Sequence, residues 1–360
     1  MYDDNARPQH RTPGRAATSN PDVRFDRFTV TAQDDGWYHD DDLPVLRTEV
    51  TEERARKVIT RNTSPDLPFD RSINPYRGCE HGCIYCFARP SHAFLGLSPG
   101  LDFETKLIAR PNAAAQLRKE LSNLRYVPAP IAIGTNTDPY QPIEKTRMIM
   151  RDILAVLSEF NHPVAIVTKG TLILRDIDIL APMAAKGLVR VGISVTTLDP
   201  RTSRALEPRV PLPAARLRVI SQLTQAGIPV RVMVSPVVPA LTDHELEAIL
   251  TAAANAGAVA ASSIMLRLPR EVATLFEEWL VTHYPDRAAR VMGRVRELHG
   301  GLTYDPAFGK RMTGQGKWAE LMQQRFKLTV RRLGLDRPMP QLRTDLFARP
   351  PQRGDQLSLL

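Results

Sequence analysis

From Pro130 onward the chain settles into a rhythm of short apolar runs and longer mixed ones. "PIAIGT" precedes "EKTRMIMRDILAVLSEF", "PVAIVTKG" precedes "LRDIDILAPMAAKG", "LVRVGISV" precedes "PAARLRVISQLTQAG", "IPVRVMVSP" precedes "TDHELEAILTAAANAG", and "ASSIMLRL" closes the series. The short runs are β-branched and nearly continuous, as strands buried on both faces are; the longer ones carry apolar residues at helical spacing. Gly187, Gly227 and Gly257 stand where three of the helical runs end, the place where a left-handed cap is most easily met by glycine. Repeated β–α alternation predicts a parallel sheet covered by helices, either a closed or partial barrel or an open doubly wound sheet. In each, ligands meet the carboxyl ends of the strands, so the residues just after each apolar run carry the most information.

On either side the pattern changes. Residues 1–43 mix Pro, Asp, Arg, Asn and Gly without periodicity and read as a mostly disordered segment. Residues 44–71, including "TEVTEERARKVITR", form a lead-in of mixed strand and helix character, and the alternating core spans 72–285. Residues 286–350 read as a basic helical extension and 351–360 as a flexible tail. Between Lys310 and Arg353 eleven Lys or Arg face three Asp or Glu. Within it, "KWAELMQQRFKLTVRRLGL" fits an amphipathic helix with Trp318, Leu321, Met322, Phe326, Leu328 and Leu333 on its apolar face.

Composition narrows the class. A chain of 360 residues with 43% hydrophobic content can bury a full core. No apolar run approaches the roughly 18 residues that cross a bilayer, and no early apolar stretch marks a secretory signal, so a cytoplasmic protein without a membrane partner is expected. The formal charge of +9 points toward polyanionic partners.

All three cysteines lie in "NPYRGCEHGCIYCFARPSH": Cys79, Cys83 and Cys86, spaced Cys-x3-Cys-x2-Cys. Three clustered thiols cannot make a paired disulfide framework; in a reducing compartment they point to metal or redox chemistry. Such spacing can wrap three thiolates around one four-iron, four-sulfur cluster, which is ordinarily held by four, leaving one iron open. The alternative is a structural zinc site completed by His81 or His92.

The spacing, with Tyr85 just before the third cysteine, resembles the signature of the radical S-adenosylmethionine (SAM) superfamily. The resemblance implies a partial (β/α)6 barrel in which the open iron binds SAM. An external electron donor then drives cleavage of SAM to methionine and a 5′-deoxyadenosyl radical. More narrowly, the cysteine loop, "TNTDPYQPIE", "VTKG", "GISVTT" and "EPRVPLPAARLRVISQLTQAGIPV" resemble the spore photoproduct lyase-like branch. That likeness implies SAM contacts from Thr137, Asp138, Lys169 and Ser194, with Tyr85 near the adenine and Arg216 reaching a carboxylate. It also suggests that Glu207 and Arg209 form a pair. One departure stands out. Thr135 occupies the place of the cysteine that returns hydrogen in the lyase, no other thiol is available, and a hydroxyl O–H bond is too strong to serve; Tyr140 is the alternative donor.

The last residues, Gln356 to Leu360 ("QLSLL"), resemble the peptide by which bacterial repair and replication proteins dock on the DNA polymerase sliding clamp. With the basic extension this makes DNA the first substrate expected. A radical SAM enzyme acting on RNA or protein, or a non-catalytic zinc protein that binds nucleic acid, are the alternatives.

Overall fold

A computed structural model describes residues 14–25 and 46–351. Its strands are β1 (Glu49–Glu52), β2 (Thr60–Arg61), β3 (Arg71–Ile73), β4 (Tyr76–Arg77), β5 (Lys106–Ala109), β6 (Ile131–Ile133), β7 (Val164–Thr168), β8 (Val189–Ser194), β9 (Val230–Val237) and β10 (Ala260–Met265). Seven of them form one sheet in the order β10-β9-β8-β7-β6-β3-β2. From β3 to β10 the strands lie side by side in chain order and all run parallel; β2 adds an antiparallel edge. The sheet does not close, so the barrel is the partial (β/α)6 kind.

The register separates its two faces. Ile73, Ile133, Ile166, Val191 and Val230 align across five strands and are wholly buried. They pack with Ile153 and Leu157 of helix Ile149–Glu159, Leu180 of Ile177–Ala185, Val219 and Leu223 of Pro213–Gln225, and Ile249 of Leu246–Asn255. This is the main core. Residues one step along each strand turn the other way, into the lumen. There Ser72, Ala132, Ala165 and Arg190 align, as do Val167, Gly192, Arg231 and Ala260, and then Ser194, Met233 and Ser262.

The three glycine caps take left-handed conformations, with φ of 73° at Gly187, 76° at Gly227 and 97° at Gly257. The first long helical run is not one helix. It breaks at Met148, where φ is 54°, because the Glu144 carboxylate turns back to accept the Met150 N–H at 3.2 Å and so starts a second helix.

A smaller sheet, β1-β5-β4, flanks the barrel. The cysteine loop spans β4 to β5 and is tied down where the Cys79 N–H meets the Phe103 carbonyl at 2.9 Å. The lead-in contributes β1 and β2 but no helix. Residues 14–25 fall inside the segment expected to be disordered, yet they strap across the loop: Ala16 and Ala17 are buried, Ser19 bonds Glu278 at 2.9 Å, and Arg24 lies 2.5 Å from Glu271. The apolar pull of the loop's own neighbours outweighs the strap's polar composition.

After the barrel come helices Glu271–His283, Pro285–Leu298 and Lys317–Arg332. In the last, Met322 is wholly buried, whereas Leu321 and Leu328, expected on the buried face, are exposed. That helix is held against its neighbour by Arg325, 2.6 and 2.7 Å from the Glu247 carboxylate. Among the described residues no helix is long and apolar enough to cross a membrane. Gln356 to Leu360 lie outside the described residues.

Candidate active site

The cysteine loop is a chain of tight turns. The Cys79 carbonyl accepts the Gly82 N–H at 3.3 Å, the Cys83 carbonyl the Cys86 N–H at 3.2 Å, and the Cys86 carbonyl the Arg89 N–H at 3.2 Å. Arg89, wholly buried, pins them: it donates to the carbonyls of Gly82, Cys83, Pro99 and Gly100 and pairs with Glu104 at 2.5 Å. Glu104 accepts in turn from the Ala16 and Ala17 amides at 3.2 and 3.0 Å. Gly82 is required here, since its φ is +65° and a Cβ would stand 2.7 Å from Glu104 Oε2. Gln141, also fully buried, brackets Cys79. It accepts the Glu80 N–H at 2.9 Å and donates to the Gly78 carbonyl at 3.3 Å. No sequence signal marked Arg89, Glu104 or Gln141, because their partners are set by the loop's path.

Cys79 and Cys83 are buried and Cys86 half-buried. Burial pushes the Cys79 thiol well up, and Asp138 and the other two cysteines add to it; burial, then Glu207, push up Cys83. The pocket therefore favours neutral thiols until a cationic group arrives to hold them as thiolates. Among the described residues no three His, Cys, Asp or Glu side chains gather closely enough for a single metal ion. Three thiols on successive turns of one loop can surround an inorganic group several ångströms across.

Beside Cys83 and Cys86, Tyr85 turns its hydroxyl into a buried knot. It donates to Glu207, and Thr196 donates to the same Glu207 oxygen at 2.8 Å. Arg216 meets the other Glu207 oxygen at 2.5 Å and also reaches the Ser194 carbonyl, Ser203 and the Pro211 carbonyl, each at 3.0 Å. Burial raises the Tyr85 pKa well above the phenol range. For Glu207, burial works toward neutrality but the Arg216 and Lys169 charges prevail, so it stays below the ordinary glutamate value. Lys169 holds its ammonium 5.8 Å from the Tyr85 ring centre. Burial opposes its charge, and the negative influence of Cys83 and Glu207 more than offsets this.

Not every expected contact points at a ligand. Arg216 commits four of its five N–H donors to the chain, so the carboxylate it reaches is that of Glu207 and not a ligand's, and it positions Glu207 and the end of β8. Glu207 does not pair with Arg209, which lies 3.5 Å from Glu80. Asp138 spends its carboxylate on Thr168 at 2.6 Å, the Lys169 N–H at 2.7 Å and the Tyr140 N–H at 2.9 Å, joining the ends of β6 and β7; against burial, His81 first and then the Thr168 and Lys169 contacts hold its pKa to about 2. Thr137 donates to the Tyr76 carbonyl at 2.9 Å. The Ser194 hydroxyl lies 3.5 Å from the Ser235 carbonyl. Thr135 is half-buried just past β6. Tyr140 is sealed in the main core with its hydroxyl on Asp176 at 3.1 Å, which removes it as a hydrogen donor at the strand ends.

An open parallel barrel whose first strand runs into a three-cysteine loop defines a class of radical enzyme. The chain belongs to the Radical SAM superfamily, whose family profile matches residues 73–253. It is accordingly a radical SAM enzyme, and membership implies an iron–sulfur cluster and SAM as cofactors. An uncharacterised protein of Mycobacterium tuberculosis is 39% identical over 248 residues, covering 68% of this chain and 72% of that one. One from Methanocaldococcus jannaschii is 25% identical over 199 residues, 55% and 71% of the two chains. Among solved structures, a cysteine-to-serine mutant of spore photoproduct lyase aligns over 79% of both chains with a TM-score of 0.57 at 14% identity. Another structure of that lyase, carrying AdoMet and dinucleoside spore photoproduct, gives 0.53 at 13%, again over 79% of both. At such identities the likeness is one of fold.

Proposed function

We propose that Cys79, Cys83 and Cys86 hold a four-iron, four-sulfur cluster with one iron open to SAM, and that the enzyme acts on DNA. The observation that carries the first part is the loop itself. Three thiols on successive turns are pinned by Arg89 and Gln141 and flanked by Tyr85 and Lys169. Once bound, a cluster reduced by an external donor would supply one electron to the S–C5′ bond of SAM, releasing methionine and a 5′-deoxyadenosyl radical able to take hydrogen from a substrate. The chain's own part is positional. Lys169 offers a cation beside the loop, the Tyr85 ring a flat apolar surface, and Ser194 the polar edge of β8. Asp138 and Arg216 keep those strand ends in place. The strap of residues 14–25 covers the loop's outer side and keeps water from the thiols.

DNA is supported by the basic extension and by the clamp-like tail, Gln356 to Leu360. An external electron donor is needed, since each cleavage of SAM consumes one electron that the chain's own residues do not supply. The test is anaerobic reconstitution with iron and sulfide, followed by dithionite and SAM. A brown protein that releases 5′-deoxyadenosine, together with a chemically altered oligodeoxynucleotide, is expected. Stoichiometric zinc, no cluster and no SAM cleavage would sink the cofactor reading; SAM cleavage that alters RNA or a protein but never DNA would sink the substrate.

A further inference from the structure

The lumen wall carries two guanidiniums without a counter-charge. Arg190 on β8 and Arg231 on β9 sit in adjacent side-chain rows of the face that turns away from the helices. Neither makes an ion pair or a hydrogen bond with any described residue. Burial lowers the pKa of both, and Arg190 lowers that of Arg231 further; no carboxylate acts on either. Several other partly buried arginines are matched: Arg71 with Asp70 at 2.7 Å, Arg110 with Glu53 at 3.3 Å, Arg311 with Asp66 at 2.5 Å.

Unsatisfied donors accumulate on the same wall. Arg231 Nε, Ser235 Oγ and Ser262 Oγ are sealed from solvent and have no hydrogen-bond partner. Ser262 aligns with Met233, two residues beyond Arg231, and Ser235 is two further along β9. Folded proteins leave few buried polar groups unpartnered. Two like charges with an idle hydroxyl two rows on, all able to donate, are therefore complementary to an anion.

We propose that Arg190 and Arg231, with Ser262, form a subsite for the phosphate of a phosphate-ester substrate. A carboxylate would neutralise one guanidinium, whereas a phosphate ester carries up to about two charges and suits the forked donors of arginine. Ser194, at the loop end, lies four positions beyond Arg190 on β8, about 13 Å of strand. The rest of the ester would extend along that span, past the Met233 side chain beside Gly192, toward the cysteine loop. The subsite rests on the reading that substrate enters the barrel, but its test needs neither cluster nor SAM.

Inorganic phosphate titrated into the full-length, cluster-free protein and followed by 31P line broadening should bind saturably. Arg190→Gln and Arg231→Gln should each weaken it at least tenfold, and Arg231→Lys, which keeps the charge, should weaken it less than threefold. In phosphate-free buffer the two glutamine variants should melt no lower than wild type, since each relieves a repulsion. No saturable binding by wild type, binding within twofold of wild type in the double variant, or a lowered melting temperature in both glutamine variants would overturn the proposal. Displacement of phosphate by single-stranded oligothymidylate would identify a phosphodiester as the source, and failure to displace it would identify a small phosphate ester; both support the subsite. Because no SAM chemistry is read, failure here leaves the cysteine-loop assignment standing, and the reverse holds too.

Discussion

Arg216 Nη2 lies 2.5 Å from Glu207 Oε2, with both side chains wholly shut off from solvent. Glu207 gives its other oxygen to Tyr85 and Thr196, so one ion pair joins helix Pro213–Gln225 to the cysteine loop and to the segment just beyond β8. Removing one member of a buried pair strands the other. Arg216→Met should cost about 3–5 kcal/mol, read as a lower midpoint in urea unfolding. Changing both residues to apolar ones of similar volume should recover much of the stability but not the placement of Tyr85.

The ligand roles of the loop and of Lys169 separate cleanly. Cys83→Ala should abolish iron loading, and with it the brown absorption and SAM cleavage. Lys169→Ala should leave iron content intact and weaken SAM affinity about tenfold or more, as loss of a charge-assisted contact does. Unchanged SAM affinity in that variant, by equilibrium dialysis, would remove Lys169 from the site.

Gly82→Ala tests the loop's packing. The substitution forces a side chain into the left-handed region and against the Glu104 carboxylate, which Arg89 and two strap amides hold in place. A loss of about 2 kcal/mol or more is expected, with iron content after reconstitution falling in step. Gly96→Ala, also at positive φ but with open space around it, should cost less and leave iron loading unchanged.

Stability should fall on mild acidification. His162 is wholly buried between the Tyr126 hydroxyl at 2.7 Å and the Pro163 carbonyl oxygen at 3.0 Å. Burial pushes its pKa down to about 4 from the ordinary 6.5, and His92 behaves alike. The unfolded chain thus takes up protons first. The stability that each neutral imidazole contributes is complete above pH 6.5 and is lost as pH falls toward about 4, up to about 3 kcal/mol each. His162→Gln should roughly halve that slope in urea titrations across the window; an unaltered slope would place the acid sensitivity elsewhere.

Deleting Gln356 to Leu360 should abolish sliding-clamp capture in a pull-down and spare SAM cleavage. Equal capture with and without the tail would dispose of the docking idea.

The strand–helix rhythm was legible because each run repeats one simple pattern, and the caps at Gly187, Gly227 and Gly257 because few other residues take that backbone. The cysteine loop was legible from spacing alone. What escaped was decided by through-space partners. Arg216 reads as one more cation on a helix until the turn of the chain at Pro211 brings it back onto Glu207. Met148 breaks a helix only because Glu144 finds the Met150 amide. Arg190 and Arg231 look like ordinary strand residues, and only the register, which puts both on the lumen side, reveals that they lack counter-charges.

The strap has a consequence for handling the protein. Ala16 and Ala17 bond Glu104 across 88 and 87 positions of chain, so their occupancy is set by tethering and not by concentration. A protease cut anywhere from 26 to 45 would turn the strap into a free peptide. Its hold would then obey mass action, and the outer side of the cysteine loop would lose its cover on dilution, visible as faster alkylation of Cys79 and Cys83 in dilute nicked samples than in concentrated ones.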